Sequence, residues 1–337
     1  MADTAIEWAE KVWNPTTGCD RVSDGCDHCY AMTMAKRLKG MGAAKYQTDG
    51  DPRTSGPGFG VATHESALHL PLTWRKPRKV FVNSMSDLFH DEVPAEFIAR
   101  VFGVMSLARR HTFQVLTKRH GRMRALLNED SFRLLVQASM YREKWSGGDD
   151  TWAPAFRWPL PNVWLGASVE NQQWADIRVR GLLETPAAVH WLSCEPLLGP
   201  VDLAAWLNPS SLCHASCLPT GRTGAKRDCS VACRQSSGTM GTIDWVVAGG
   251  ESGPGARPMA PAWVRSLRDQ CRSADVPFLF KQWGEYGPRC TLALCGQRCS
   301  CAGTNASHPF EMHRFGKKAA GRELDGRTWE QYPERAA

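Results

Sequence analysis

Short apolar runs alternate with amphipathic segments along most of the chain. Seven β-branched or aromatic runs are typical of buried strands: KVWN, KVFVNS, HTFQVLT, NVWLGASV, AVHWLSC, IDWVVAGG and PFLFKQW. The segments between them include VPAEFIARVFGVMSLAR, NQQWADIRVRGLLE and APAWVRSLRDQCRSA, which carry apolar residues at helical spacing. Strand and helix in repetition predict parallel βαβ units. We therefore expect an α/β protein built on a whole or partial parallel (β/α) barrel, with a doubly wound open sheet as the alternative.

Three segments interrupt this alternation and set the predicted domain organisation. Residues 121–160 contain the run KWSGGDDTWAPAFRWPLP and predict a loop-rich insert, and residues 199–242 form a second insert that carries cysteines. The chain from about residue 285 to 310 is rich in Cys, Gly and Ser and has no clear periodicity. We expect a barrel core over residues 1–284, interrupted by the two inserts, and a C-terminal extension over residues 285–337 that packs on it.

Each predicted strand after the first is followed by charged or polar residues. In chain order these are Asp87, Lys118, Arg119, Glu170, Glu195, Glu251, Lys281 and Gln282. The C-terminal ends of barrel strands meet on one face, where barrel enzymes have their active sites. The repetition therefore predicts a polar pocket at that face. The alternative is that these charges mark where strands meet water, or form ion pairs with one another.

Three cysteines lie close together directly after the first predicted strand. Cys19, Cys26 and Cys29 have the spacing C-x6-C-x2-C. Three thiolates hold three irons of a [4Fe–4S] cluster and leave the fourth iron open. A zinc site with His28 as fourth ligand, and buried thiols without a metal, are the alternatives. Zinc is disfavoured because His28 adjoins Cys29, and adjacent residues rarely bind one tetrahedral ion together.

Further cysteines lie in the second insert and in the C-terminal extension. A C-x3-C-x11-C-x3-C array predicts one tetrahedral zinc site, with His214 as a substitute ligand and a loop that merely carries thiols as the alternative. Its members are Cys213, Cys217, Cys229 and Cys233. A second zinc site or an auxiliary iron–sulfur cluster is predicted at Cys290, Cys295, Cys299 and Cys301. Cys194, at a strand end, and Cys271, on an apolar helix stripe, are expected in the core.

Composition argues against a membrane-spanning protein and against a secreted one. No run of roughly 18 apolar residues is present, and the segment MADTAIEWAEKVWNP has no apolar signal core, so we expect a cytoplasmic protein without a membrane span. Thirteen cysteines, an odd number, then favour metal binding over disulfides. The net charge of +7 is compatible with an anionic partner, and the 14 tryptophans serve either the core or the stacking of bases.

The chain also resembles known families. It shares, in order, the blocks IEWAEKVWNPTTGC, GCDHCYA, VFVNSMSDLFHDEVP, FQVLTKR, NVWLGASVEN, DWVVAGGESGPGARPM, FLFKQWGE and LDGRTW with phage-associated proteins that have a three-cysteine motif and a poorly defined function. A three-cysteine loop after the first strand of a β/α barrel resembles the radical S-adenosylmethionine superfamily. The usual spacing there is C-x3-C-x2-C, from which this chain departs with C-x6-C-x2-C and with Tyr30 after the last cysteine.

The superfamily resemblance implies a cofactor and a set of residue roles. Cys19, Cys26 and Cys29 would ligate a [4Fe–4S] cluster, whose open iron would bind the amino and carboxylate groups of S-adenosylmethionine. The methionine end would lie near Ser84, Asp87 and Lys118, and the ribose near Ser168 and Glu170. The residues implied to face the substrate and carry catalysis are Glu195, Glu251 and Lys281.

The expected function is a radical S-adenosylmethionine enzyme that acts on a nucleic-acid base, as a repair lyase or a base-modifying enzyme, with DNA favoured. It would need a reductant such as ferredoxin or flavodoxin. Two alternatives come from other classes of protein. A zinc-stabilised nucleic-acid-binding protein without redox chemistry leaves the carboxylates at the strand ends without a role. A metal-dependent barrel hydrolase uses those carboxylates but leaves the three cysteines without one.

Overall fold

Seven parallel strands form one central sheet. The computed structural model describes residues 4, 6–146, 155–207, 241–290 and 310–334. In the sheet, each strand pairs with the next in this order: β1 (Lys11–Trp13), β4 (Lys79–Val82), β5 (Thr112–Thr117), β6 (Val163–Ser168), β7 (Val189–Cys194), β8 (Trp245–Gly249) and β9 (Phe278–Gln282). A separate short antiparallel pair consists of β2 (Thr16–Thr17) and β3 (Ala62–Thr63). A doubly wound sheet reverses its strand order at a switch point, whereas this sheet runs in one direction throughout, as a barrel does.

Trp8, near the N-terminus, reveals how strongly the sheet is curled. Its ring centroid lies 4.6 Å from that of Phe81 on β4 and 6.3 Å from that of Trp245 on β8. In a flat sheet, four strand spacings would separate β4 from β8, or about 19 Å. The sheet therefore bends around Trp8 and forms a half-barrel. This confirms the predicted partial parallel barrel at the level of its overall architecture.

The inner face of the half-barrel changes from bulky to small side chains along the strands. An aromatic cluster fills the N-terminal end of the strands, formed by Trp8, Phe81, Trp164, Trp191 and Trp245. Two residues after Trp164, β6 has Gly166, where a Cβ atom would lie 2.4 Å from the Trp191 ring. The aromatic cluster therefore forms a floor, and smaller residues beyond it leave room for a cavity at the C-terminal ends of the strands.

Helices alternate with the strands along the chain, and several of them cover the outer face of the sheet. In chain order they are α1 (Tyr30–Gly40), α2 (Glu65–Leu68), α3 (Leu70–Thr73), α4 (Ala95–Leu107), α5 (His120–Asn128), α6 (Asp130–Ser146), α7 (Gln172–Leu183), α8 (Ala204–Leu207), α9 (Pro261–Ser273) and α10 (Lys317–Ala320). The three predicted amphipathic segments correspond to α4, α7 and α9. Outward-facing strand residues such as Val82, Val115 and Phe280 are fully buried beneath this layer. None of the helices in the described part of the chain is both long and apolar enough to cross a bilayer.

The segment 121–160 differs from its prediction as a loop-rich insert, because α5 and α6 occupy its first half. Met123 and Leu127 recur on α5 at a spacing of four, and both are buried. Phe132, Val136 and Met140 do the same on α6. Burial of one apolar stripe per helix against the core stabilises both helices. Charged residues between these positions made the stripe hard to recognise in the sequence.

The C-terminal extension pairs with itself and with the edge of the sheet. β10 (Tyr286–Cys290) and β11 (Phe310–Arg314) form an antiparallel pair. Further along, the Phe280 N–H group of β9 donates to the carbonyl oxygen of Trp329 at 3.0 Å, and the Gln331 N–H group donates to Phe278 at 3.2 Å. The chain around Trp329 thus covers the side of β9 that faces away from β8, where the sheet would otherwise end in unpaired backbone groups.

The predicted cysteine sites in the inserts fall largely outside the described residues. This applies to Cys213, Cys217, Cys229, Cys233, Cys295, Cys299 and Cys301, while Cys290 is the last residue of β10. Cys194 and Cys271 are both fully buried, which confirms their prediction as core residues. Zinc or a second cluster at the other cysteines stays a prediction.

The contact between Gly166 and Trp191 gives a test of the half-barrel floor. We expect Gly166→Ala to lower the free energy of unfolding by about 1–3 kcal/mol, because the added Cβ overlaps a fully buried ring. Gly121→Ala is the matched control, since Gly121 lies on α5 and no atom lies near its Cβ position. Because alanine has a higher helix propensity than glycine, this variant should be slightly more stable than the wild type. Urea unfolding measures both. Equal effects of the two substitutions would mean that Trp191 does not fill the floor as described.

Candidate functional site

A cavity of about 630 Å³ opens at the C-terminal ends of the strands. Its floor includes Trp8, Phe81 and Leu116 from the inner face of the half-barrel. Its walls contain all but one of the residues predicted at the strand ends, namely Asp87, Lys118, Arg119, Glu195, Glu251, Lys281 and Gln282. Ser168 lines the cavity as well. The curled sheet therefore brings these side chains together around one space.

The loop that carries the three cysteines, residues 18–29 (the cysteine loop), closes one side of the cavity. It begins at Gly18, whose φ is 87° and where a Cβ atom would lie 2.1 Å from the Gly60 carbonyl oxygen, so that only glycine fits. It ends at Cys29, the N-cap residue of α1. Cys19, Cys26 and Cys29 all line the cavity. The loop thus brings all three thiols to one side of the same space.

Burial and neighbouring charges set the protonation of these thiols. Burial raises the pKa of Cys19 to about 12; the Asp87 carboxylate adds to this effect, and Arg119, whose Nη1 lies 3.2 Å from the sulfur, opposes it. Burial likewise raises the pKa of Cys29, against backbone hydrogen bonds from the first turn of α1. Hydrogen-bond donors directed at sulfur are typical of the surroundings of a metal-bound thiolate.

The spacing of the thiols distinguishes two kinds of metal centre. One zinc ion would draw three thiolates to about 3.8 Å from one another. Within the described part of the chain, the three cysteines do not form a group whose ligand atoms all lie within 4.8 Å of one another. Among the described residues, His28 does not complete such a group with them either; its Nδ1 lies 3.1 Å from Glu251 Oε2. The described part of the cysteine loop therefore does not present the closely spaced ligands of a preformed tetrahedral zinc site.

Glu170 lies beneath the cysteine loop and not in the wall of the cavity. It is fully buried, and its carboxylate accepts hydrogen bonds from Ser23 Oγ at 2.6 Å, from Arg178 Nη1 at 2.8 Å and from Lys118 Nζ. Burial alone would raise the pKa of Glu170, but Lys118 and Arg178 outweigh it and lower the pKa. The geometry therefore does not support the ribose contact that was expected of Glu170. Its carboxylate instead anchors the cysteine loop through Ser23.

Glu251 anchors the same loop from the opposite side. Its oxygens accept hydrogen bonds from Arg257 Nε at 3.0 Å and Nη2 at 2.7 Å, besides the contact with His28. Arg257 Nη2 also donates to the carbonyl oxygen of Asp24 at 2.8 Å. Burial alone would raise the pKa of Glu251. The hydrogen bonds from Arg257 outweigh burial, so the pKa lies below its ordinary value. Glu251 lines the cavity as expected, yet both of its oxygens are already engaged.

Asp87 and Ser84 shape the wall beside β4. The buried Asp87 carboxylate accepts hydrogen bonds from Thr117 Oγ1 at 2.7 Å and from the N–H groups of Lys118 and Phe89, both at 3.0 Å. A carboxylate has about four acceptor positions, so little capacity remains for a ligand. Ser84 lines the cavity, and its carbonyl oxygen accepts a hydrogen bond from Tyr30 at 2.6 Å.

Sequence reasoning missed a third anchor of the cysteine loop, formed by Asp20, His90 and Glu92. Their ligand atoms lie close enough for a metal ion. However, His90 Nδ1 accepts the Glu92 N–H group at 3.2 Å, and its Nε2 lies 2.9 Å from Asp20 Oδ2. A neutral ring that accepts at Nδ1 carries its proton on Nε2 and donates it to Asp20. The geometry is therefore that of a hydrogen-bonded pair which fixes the chain next to Cys19.

The fold and the site together define a class: a parallel half-barrel protein with three thiols at the mouth of its cavity. The chain belongs to a family described as a protein of unknown function, DUF5131, whose model matches residues 3–333. No curated protein and no solved structure matches the chain. The function has therefore to be inferred from the residues of the site.

The buried carboxylate of Glu170 gives a stability prediction. We expect Glu170→Gln to lower the free energy of unfolding by about 3–5 kcal/mol, because it leaves Lys118 and Arg178 buried without a counter-charge. Glu184→Gln is the matched control: Glu184 pairs with Arg124 and Arg180 on the surface, and its loss should change the free energy of unfolding little. Urea unfolding at pH 7 measures both variants.

The difference in stability between the wild type and Glu170→Gln should also depend on pH. Because folding lowers the pKa of Glu170 from its ordinary 4.5, the stabilisation by its charge is complete above that pH and is lost as the pH falls through the folded-state pKa. The difference in stability between the wild type and Glu170→Gln should therefore shrink below pH 4.5. A difference that stays constant down to pH 3 would contradict an ionised, stabilising Glu170.

Proposed function

We propose that this protein is a radical S-adenosylmethionine enzyme that holds a [4Fe–4S] cluster on Cys19, Cys26 and Cys29. One observation carries the proposal: three thiols of a single loop line a cavity at the C-terminal mouth of a parallel half-barrel. Barrel enzymes bind their substrates at that face. The hydrogen-bond donors around Cys19 and Cys29 support metal-bound thiolates at these two positions. The relationship to the superfamily is part of this proposal.

The chemistry that such a cluster supplies when bound is the transfer of one electron, which breaks the C5′–S bond of S-adenosylmethionine and leaves methionine and a 5′-deoxyadenosyl radical that takes a hydrogen atom from the substrate. The electron comes from a reductant such as ferredoxin or flavodoxin. Arg119 donates toward Cys19, and the start of α1 donates toward Cys29. Hydrogen bonds of this kind adjust the reduction potential.

The contacts at the cavity wall refine the cofactor-binding residues. Asn83 Oδ1 is buried without a hydrogen-bond partner among the described residues, and Asn83 lines the cavity next to Ser84. We assign Asn83 the role expected of Asp87, the acceptance of the methionine amino group, because the Asp87 carboxylate is already engaged. Lys118, which keeps spare protons beside Glu170, remains the partner for the methionine carboxylate. Ser168 remains the candidate for the ribose.

The proposed substrate is a nucleic-acid base, with DNA favoured, and the proposed setting is the cytoplasm. The net charge of +7 suits a polyanionic partner, and the aromatic floor at Trp8 and Phe81 suits a flat ligand. The association with phages stays a prediction from sequence resemblance.

The two alternative functions receive less support. A metal-dependent hydrolase needs carboxylates with free oxygens, but Asp87, Glu170 and Glu251 are each engaged by protein donors. A zinc-stabilised binding protein needs closely spaced ligands, which the cysteine loop does not provide among the described residues. Neither alternative accounts for the charged walls of the cavity together with the thiols.

The test uses protein that is purified anaerobically and reconstituted with iron and sulfide. We expect about four irons and four sulfides per chain, and production of 5′-deoxyadenosine after reduction and addition of S-adenosylmethionine. The variant Cys19→Ala/Cys26→Ala/Cys29→Ala should lose both. Cys271→Ala, which removes a core thiol on α9 outside the cavity, should keep both. Uptake of zinc alone, with S-adenosylmethionine left intact, would overturn the proposal.

A further inference from the structure

A β-bulge in β9 turns two successive side chains into the cavity. β8 and β9 stay in register as far as Ala248 and Phe280, but the next pair is Gly249 with Gln282, which leaves Lys281 as an extra residue. In a regular strand, successive side chains face opposite sides of the sheet. Here Lys281 and Gln282 both line the cavity. Bulges beside binding sites re-aim side chains in this way.

Lys281 forms an ion pair with Glu195 from the end of β7. Nζ of Lys281 lies 2.6 Å from Oε1 of Glu195, and both side chains are mostly buried. Gly249 of β8 lies beside both residues: a Cβ atom there would be in ordinary van der Waals contact, 3.4 Å from Lys281 and 3.5 Å from Glu195. The pair is neutral as a unit. Lys281 retains two further protons to donate, and the second oxygen of Glu195 has no partner within the described part of the chain.

Gln282 adds an amide group that lacks a partner. Its side chain is 4% exposed, and its Oε1 makes no hydrogen bond to any described residue. Buried polar atoms in proteins are nearly always hydrogen-bonded. An amide oxygen buried in a cavity wall therefore indicates a ligand that donates to it. Together, Glu195, Lys281 and Gln282 (the β9 wall) offer donors and acceptors side by side.

We infer that the β9 wall recognises the edge of a nucleobase whose face lies over the aromatic floor at Trp8 and Phe81. A nucleobase has an apolar, polarisable face and an uncharged edge of alternating donors and acceptors. Glutamine side chains bind such edges in bidentate fashion. A charged ligand such as an amino acid or a phosphate would meet no net counter-charge at the neutral pair of Lys281 and Glu195.

This inference rests on the proposed function, because it names the part of the cavity that would hold the substrate base. The base has to leave a helical stack to reach the cavity floor, so single-stranded nucleic acid is the form to bind. The β9 wall lies apart from the groups assigned to the methionine and the ribose, which come from β4, β5 and β6. Substrate and S-adenosylmethionine should therefore bind together.

The experiment measures binding of short single-stranded oligodeoxynucleotides, without reductant and in an excess of S-adenosylhomocysteine, which occupies the adenosine subsite. Four oligonucleotides differ in their central base, and a fifth is abasic at that position. We expect at least one base to bind about tenfold more tightly than the abasic strand, as a bidentate base contact predicts. Gln282→Leu should remove this difference, while Gln137→Leu, on α6 outside the cavity lining, should keep it.

The outcomes separate this inference from the proposed function. Equal binding of all five strands, or a base preference that survives both Gln282→Leu and Glu195→Gln, would overturn the nucleobase site even if the reconstituted protein makes 5′-deoxyadenosine. A preference that depends on Gln282, in a protein that leaves S-adenosylmethionine intact, would support the site and overturn the radical reaction. Competition by alanine against the preferred strand would mean that the wall binds a zwitterion and not a base.

Discussion

The candidate site depends on a charged group in a place where charge is costly: the carboxylate of Glu170, fully buried between a strand end, a helix and a loop. An isolated carboxylate there would take up a proton and become neutral, because removing its charge from water is too costly. Lys118 from the chain after β5 and Arg178 from α7 keep it ionised, and Ser23 adds the contact that reaches the cysteine loop. Because all four groups must be in place together, the loop that carries the thiols is tied to the folding of the sheet itself.

Other ion pairs and hydrogen bonds anchor the cysteine loop around the rest of the cavity mouth. Glu251 with Arg257, Asp20 with His90, and Arg119 beside Cys19 each join the cysteine loop to a different part of the chain. Most of the charges at the strand ends thus position a loop and do not themselves meet a ligand. Groups with unused hydrogen-bonding capacity line the cavity at Asn83, Lys118, Lys281, Glu195 and Gln282, and these are the ones to which we assign contacts with a substrate or cofactor.

The sequence allowed prediction of the strands, their parallel order and the set of polar residues at their ends, because apolar runs and strand–helix alternation are local patterns. It did not reveal which charges pair, since partners such as Glu170 and Ser23 are distant in sequence and meet only when the sheet curls. The helices α5 and α6 were missed because their buried stripes are thin and diluted by charged residues. The bulge at Lys281 could not be predicted either, because it depends on the register between β8 and β9, which the side-chain pattern of one strand does not determine.

The central place of Trp8 has a consequence for how the chain is made. Its ring packs against Trp191 and Trp245, which lie far downstream in the chain and are therefore synthesised much later than Trp8. Contacts between residues so far apart in sequence slow folding, since long loops must close before the contacts form. The floor of the half-barrel therefore cannot be completed until β8 has left the ribosome. Until then, the aromatic ring of Trp8 lacks its partners, and transiently exposed apolar surface of this kind promotes aggregation.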